Sequence, residues 1–236
     1  MLKRLLVFVL LLAGLLVLAD RGLAHTAGNA TAAEIKRHEA LRDDPSVTFR
    51  GFPFFSQALR GRFRAVDVTV RDVEREGVVV DRIDAHLEQV GVNLNEALQG
   101  RVRAVPVGRG EATITVKYGD LATFLAGKPG NIRISSVDGR VRVASTFGVP
   151  TVGQVTIEGT AHVAVAGNAV RVSVSDVTAG GVRLTRAQAT AAGLRASFTI
   201  PFAQLPFGIK VVSARLTADA LVVSASAEGF VIDVAR

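Results

Sequence analysis

The side chains able to carry out a reaction are few and scattered. The chain has four histidines, His25, His38, His86 and His162, and no cysteine. The missing thiols remove disulfides, thiolate zinc sites and cysteine nucleophiles from consideration. No pair of histidines has HExxH or another close metal-ligand spacing, and no G-x-S-x-G elbow presents a serine. Gly108-Arg-Gly110 and Ala179-Gly-Gly181 carry neither a P-loop nor a dinucleotide fingerprint and read as turns. Asp43, Asp44, Asp120 and Asp138 are too dispersed to nominate a carboxylate pair for glycoside chemistry. His86 and His162 fall in strand patterns and are expected at a surface or sheet edge. A binding protein is expected, not an enzyme, with no cofactor and no metal.

The denser signal is noncovalent. Together with Phe49, the run Gly51-Phe-Pro-Phe-Phe-Ser-Gln-Ala-Leu-Arg-Gly-Arg-Phe63 holds five of the twelve phenylalanines, and Arg60, Arg62 and Arg64 crowd its far end. Aromatic surface beside cations suits an amphiphile. Pro-Phe occurs at Pro53-Phe54, Pro201-Phe202 and Pro206-Phe207. Proline has no backbone donor and interrupts a sheet ladder, so these phenylalanines belong at strand ends or bends, where rims form. Phe52, Phe54, Phe55, Leu59, Phe63, Phe202, Leu205 and Phe207 are the apolar lipid-binding candidates. They either pack in a core, or line a lipid cavity or dip into a membrane surface. Arg60, Arg62 and Arg64 would share one side of an extended segment. That side is either a solvated edge or a partner for a lipid phosphate, whose geometry the guanidinium fork matches; Arg60 and Arg62 are the headgroup candidates.

These residues are positioned by a chain of 236 residues, long enough for one large domain or two small ones, with one the simpler reading. Lys3 and Arg4 precede an uncharged apolar run, residues 5–19, which Asp20 and Arg21 end. A basic start followed by an apolar run is an export signal. The run falls short of the roughly 20 residues of a typical span. Gly22-Leu-Ala24 puts small residues where cleavage before His25 would need them. The segment 1–24 is therefore a signal peptide or a short uncleaved anchor (residues 2–19), and in both cases the body, 25–236, lies in the periplasm or envelope. The formal charge of +7 is compatible with anionic lipid. Export and the lack of a continuous basic run argue against nucleic acid.

Thr31-Ala-Ala-Glu34 has capping-box spacing and predicts a helix over 31–42. From Phe63 onward apolar residues recur with period two. Strands are expected at 63–71, 78–90, 111–117, 131–147, 151–166, 169–177, 194–200, 209–217 and 220–234, with short helices at 93–99 and 119–126. In the second helix Asp120 is the expected cap, with Leu121, Phe124 and Leu125 facing inward. Long alternating strands imply a large antiparallel sheet. Asp72-Val73, Gly77-Val78 and Arg82 recur 104 residues later as Asp176-Val177, Gly181-Val182 and Arg186. That repeat reflects either two hairpins with similar turn chemistry or an old duplication.

Residues 51–61 resemble the G-F-P-F-x-x-Q-x-x-x-G signature of the actinobacterial LmeA-like phospholipid-binding proteins. Tyr118-Gly-Asp-Leu121 resembles the family's Y-x-D-L helix start, Leu205-Pro-Phe-Gly-Ile209 its L-P-F-G-[LI] turn, and residues 72–78 its first hairpin. Asp20-Arg21-Gly22 after the apolar segment is also typical. The resemblance implies an exported envelope protein that binds phospholipid, with a link to lipid transfer or lipoglycan (mannan) assembly. It implies an α+β fold similar to the tubular lipid-binding class, in which a long, strongly curved antiparallel sheet wraps around an N-terminal helix and leaves an apolar groove. Its expected partners are phospholipid and the membrane surface, not nucleic acid. The alternative is a noncatalytic structural or interaction module of the envelope whose sheet is filled by its own side chains.

Overall fold

A computed structural model describes residues 2–39, 41–75, 78–99, 101–126, 131–137, 140–149, 153–201 and 208–233. Helix α1 (Leu2–Glu39) is unbroken. Thr31 therefore does not start a helix, and its hydroxyl donates back to the Ala27 carbonyl at 2.9 Å inside one already running. Leucine- and alanine-rich sequence on both sides of Asp20-Arg21 favours helix without a break. From Asp20 onward a stripe at four-residue spacing, Asp20, Ala24, Gly28 and Ala32, is buried. Small side chains there let the helix lie close to β1 (Ser46–Arg50), whose Val47 joins the same apolar cluster.

A short helix, α2 (Phe54–Arg60), leads into the hairpin of β2 (Arg62–Arg75) and β3 (Val78–Gly91). Then follow α3 (Leu94–Leu98), β4 (Ala104–Lys117), α4 (Tyr118–Ala126), β5 (Arg133–Val137), β6 (Arg140–Val149), β7 (Gly153–Val165), β8 (Ala169–Ala179) and β9 (Val182–Arg183). The chain closes with α5 (Arg186–Ala196), β10 (Phe198–Pro201), β11 (Lys210–Leu216) and β12 (Ala220–Asp233). The expected strand over 131–147 is the hairpin β5–β6, and the one expected at 194–200 starts only at Phe198, after a helix. Asp120 lies in the first turn of α4 rather than before it. Leu121 and Leu125 are buried as their spacing predicts.

The α+β class is as expected, but the sheet is not. Two six-stranded antiparallel sheets form, in the orders β1-β2-β3-β4-β12-β11 and β10-β8-β7-β6-β5, with β9 added to β8. Neither is strongly curled among the described residues, and α1 packs on β1 rather than inside a wrapping sheet. The reason lies in the connections: β5 to β8 pair through successive hairpins with one another, while β11 and β12 pair with each other and belong to the first sheet.

The chain divides into two compact units. Unit 1 comprises Met1–Arg71, Asp84–Glu111 and Ala227–Arg236, and unit 2 comprises Asp72–Ile83 and Ala112–Ser226. The core of unit 1 is built on Phe49, Phe54 and Phe63, whose ring centroids lie 4.7 to 5.8 Å apart, with Val66, Val90 and Val107 around them. Leu121, Leu125, Val143, Val170 and Val223 anchor that of unit 2. The repeat also has a structural counterpart. Asp72 and Asp176 both take left-handed backbone, at φ of 50° and 51°, and at Asp176 the β7–β8 register shifts between Glu158 and Thr160. A short side chain able to bond locally tolerates that conformation within a strand.

Candidate lipid-binding site

Residues 51–61 form one compact element of unit 1. Gly51 turns the chain with φ of 93°, the Phe52–Pro53 peptide is cis, and Pro53 precedes the first turn of α2. Gln57 is buried and clamps the element from inside. Its amide oxygen accepts the Arg64 backbone N–H at 2.8 Å, and its amide nitrogen donates to the Pro53 carbonyl at 3.3 Å. Gly61 ends the helix in left-handed backbone at φ of 61°, with its N–H on the Ala58 carbonyl. Its carbonyl takes the Val92 N–H at 2.8 Å, and a β-carbon at Gly61 would collide with the Val92 carbonyl.

The first turn of α2 has no cap of its own; α1 supplies it. The buried Asp20 carboxylate accepts the backbone N–H groups of Phe54 and Phe55, each at 2.9 Å. Burial opposes its ionisation, yet the two amide hydrogen bonds and the Arg21 charge prevail, and the carboxyl titrates below the ordinary aspartate range. Arg21 donates to the Gly51 carbonyl at 2.8 Å, and its guanidinium lies 5.4 Å from the centre of the Phe52 ring. Sequence reasoning passed over both residues as functional, since a cap supplied from 34 residues away leaves no local spacing to read. The one available signal was a charged pair directly after an apolar run.

The element sorts its aromatic residues into two sets. Phe54 and Phe63 are buried, at 7% and 8% exposure, and their rings complete the core. Phe52, Phe55 and Leu59 stay 50%, 56% and 59% exposed, with Phe55 and Leu59 one helical turn apart on one face. Arg60 closes α2, where a cation suits the negative end of the helix. Gly61 reverses the backbone after it, so Arg60 does not share a strand face with Arg62 and Arg64, as an extended segment would require. All three arginines are exposed, and among the described residues neither Arg60 nor Arg62 forms an ion pair. What remains exposed on and beside α2 is Phe52, Phe55 and Leu59 with Arg60 and Arg62, side-chain types suited to acyl chains and a phosphate. Phe202, Leu205 and Phe207 lie outside the described residues.

The remaining polar residues hold the scaffold. His86 meets Asp67 at 2.5 Å across β2 and β3, and His162 bonds Ser175 at 2.9 Å across β7 and β8. Among the described residues no cluster of three potential metal ligands forms.

A sequence model of LmeA-like phospholipid-binding proteins matches residues 18–226. The chain belongs to the LmeA-like phospholipid-binding family. No curated protein and no solved structure shows significant similarity to it. In this LmeA-like chain the signature residues Gly51, Pro53, Phe54, Gln57 and Gly61 shape and anchor the element, and the exposed Phe55 and Leu59 occupy positions the signature leaves open. The Y-x-D-L motif is likewise structural. Tyr118 donates its hydroxyl to the Thr217 carbonyl at 2.7 Å and its backbone N–H to the Asp219 carbonyl at 3.1 Å, fixing α4 to the β11–β12 turn. Burial and the Asp219 charge push the phenol up to about 12.

Proposed function

We propose that this LmeA-like protein is an exported envelope protein that binds phospholipid noncovalently, with the ridge of Phe52, Phe55 and Leu59 against the acyl region and Arg60 and Arg62 at the headgroup phosphate. The observation that carries the reading is the exposure of three large apolar side chains with two cations that form no ion pair among the described residues, in an element whose remaining phenylalanine, Phe54, is buried. Each methylene taken from water contributes about 0.8 kcal/mol, so two acyl chains outweigh a considerable ordering cost. The guanidinium forks add a charge-assisted, two-pronged contact to phosphate. A phospholipid carrier or holder of this kind serves lipid transfer or the assembly of lipid-anchored mannans.

Vesicle flotation tests the reading. The full chain is expected to float more readily with vesicles containing phosphatidylglycerol than with vesicles of phosphatidylcholine alone, and loss of that preference on charge reversal at Arg60 and Arg62 supports the headgroup assignment. Failure to float with any phospholipid counts against it. Both units have packed clusters made of the chain's own side chains, which favours a second reading, a noncatalytic interaction module of the envelope. That reading expects no preference for anionic vesicles.

A further inference from the structure

The surroundings of α1 change at one residue. Residues 11–19 are exposed on every side of the helix, and from Asp20 onward one stripe is buried against unit 1. A helix that is apolar all round and unpartnered is unstable in water and suits hydrocarbon. Among the described residues no helix is long and apolar enough to cross a membrane, but the uncharged run starts at Leu5, ahead of the described side chains. The helical segment 2–19 reaches about 27 Å at 1.5 Å per residue. That approaches the roughly 30 Å of a bilayer core.

The residues that follow belong to the folded body. Asp20 caps α2, Arg21 holds Gly51 and covers Phe52, and Ala24 is buried in the core of unit 1. Cleavage before His25 would remove all three and leave the buried Phe54 N–H without its acceptor. A segment whose last residues complete the neighbouring element is built to stay.

We infer that the N-terminal segment is retained as a membrane anchor, and that the Asp20–Arg21 clamp holds residues 51–60 at the bilayer surface where the anchor leaves it. Phe52, Phe55 and Leu59 then dip among the lipids of that bilayer, and Arg60 and Arg62 meet its anionic headgroups. Two observations argue for this occupant: the cations match an anionic surface, and the ridge is joined through the clamp to the helix that enters the same membrane. Lys3 and Arg4 place the helix start on the cytoplasmic side and the body outside. Retention rests on the clamp alone, while the bilayer contact rests on the phospholipid-binding reading.

The test uses the full chain with a C-terminal tag, purified from bacterial membranes. Intact mass is expected to show the uncleaved chain, and the protein is expected to resist alkaline carbonate extraction. A product beginning at His25 overturns retention. The chain has no tryptophan, so Phe55→Trp and Leu59→Trp each introduce a single emitter. In vesicles of phosphatidylcholine and phosphatidylglycerol with brominated acyl chains, both are expected to lose most of their emission relative to unbrominated vesicles. Unquenched emission from both, in protein that still binds phospholipid, overturns the bilayer placement alone. Quenching in protein from which no lipid co-purifies supports the placement and counts against lipid holding.

Discussion

The Asp20 carboxylate accepts the Phe54 backbone N–H at 2.9 Å, joining the helix that leaves the apolar segment to the element that carries the exposed ridge. The inferred retention of the N-terminal segment rests on that contact, which also ties the exposed element to α1.

Removing the cap should weaken unit 1 in a graded way. Asparagine at position 20 keeps one acceptor oxygen and loses the charge beside the helix start, whereas alanine keeps neither. Thermal unfolding should rank the native protein above Asp20→Asn, and that above Asp20→Ala. Since the folded carboxyl titrates below its ordinary value of 3.8, its contribution is present above that pH and is lost as pH falls through the folded value. Asp20→Asn should lack this acid-side loss.

Adjacent phenylalanines should behave oppositely. Phe54→Ala opens a cavity in an aromatic cluster and should cost about 3–5 kcal/mol in denaturant unfolding. Phe55→Ser, on the exposed face, should stay within about 0.5 kcal/mol of the native stability and yet weaken vesicle binding. If Phe55→Ser leaves vesicle binding intact, the ridge is not the lipid contact.

The arginines should act through charge. Near an anionic surface each contributes about 1 kcal/mol, so Arg60→Gln and Arg62→Gln should each weaken binding to phosphatidylglycerol vesicles about fivefold, with little effect on neutral vesicles. The difference should shrink as salt shortens the screening length. Equal losses on neutral and anionic vesicles would contradict a headgroup role.

The His86–Asp67 pair gives a pH signature. The Asp67 hydrogen bond and charge, with Glu88 adding, hold the imidazole above its ordinary 6.5 against its own desolvation. A raised folded pKa means stability that is full below about 6.5 and lost as pH rises through the folded value. Burial raises Asp67, but His86 and Arg50 outweigh it and hold the carboxyl below 3.8, so its share is lost on the acid side instead. Both partners of His86 are solvent-accessible, which limits the effect to below about 1 kcal/mol. Unfolding curves of the native protein and His86→Gln should differ near pH 6 and converge on the alkaline side.

The strands were legible because burial on one face imposes period two, as in β2, where buried Phe63 stands between exposed Arg62 and Arg64. Leu121 and Leu125 were legible for the matching helical reason. Helix α2 was not, because it is seven residues long and capped from another helix. Thr31 misled because a capping box carries no information about whether the helix has already begun. The same spacing at Thr185 and Gln188 does open α5, where Gln188 Oε1 accepts the Thr185 backbone N–H at 3.1 Å, and was passed over inside a strand-rich region. Division into two sheets depends on which distant hairpins pair, which no local pattern records. Within the candidate site the residue types were readable, but the sorting of Phe54 and Phe63 inward from Phe52, Phe55 and Leu59 needed the turn that Gly51, Gln57 and Gly61 create.

The central claim is tested most directly by extracting the natively purified full chain and identifying bound lipid by mass spectrometry. The account predicts phospholipid in near-stoichiometric amount, depleted in a Phe52→Ser, Phe55→Ser, Leu59→Ser triple variant that remains folded. A native protein free of phospholipid that also fails to bind phospholipid vesicles would contradict it.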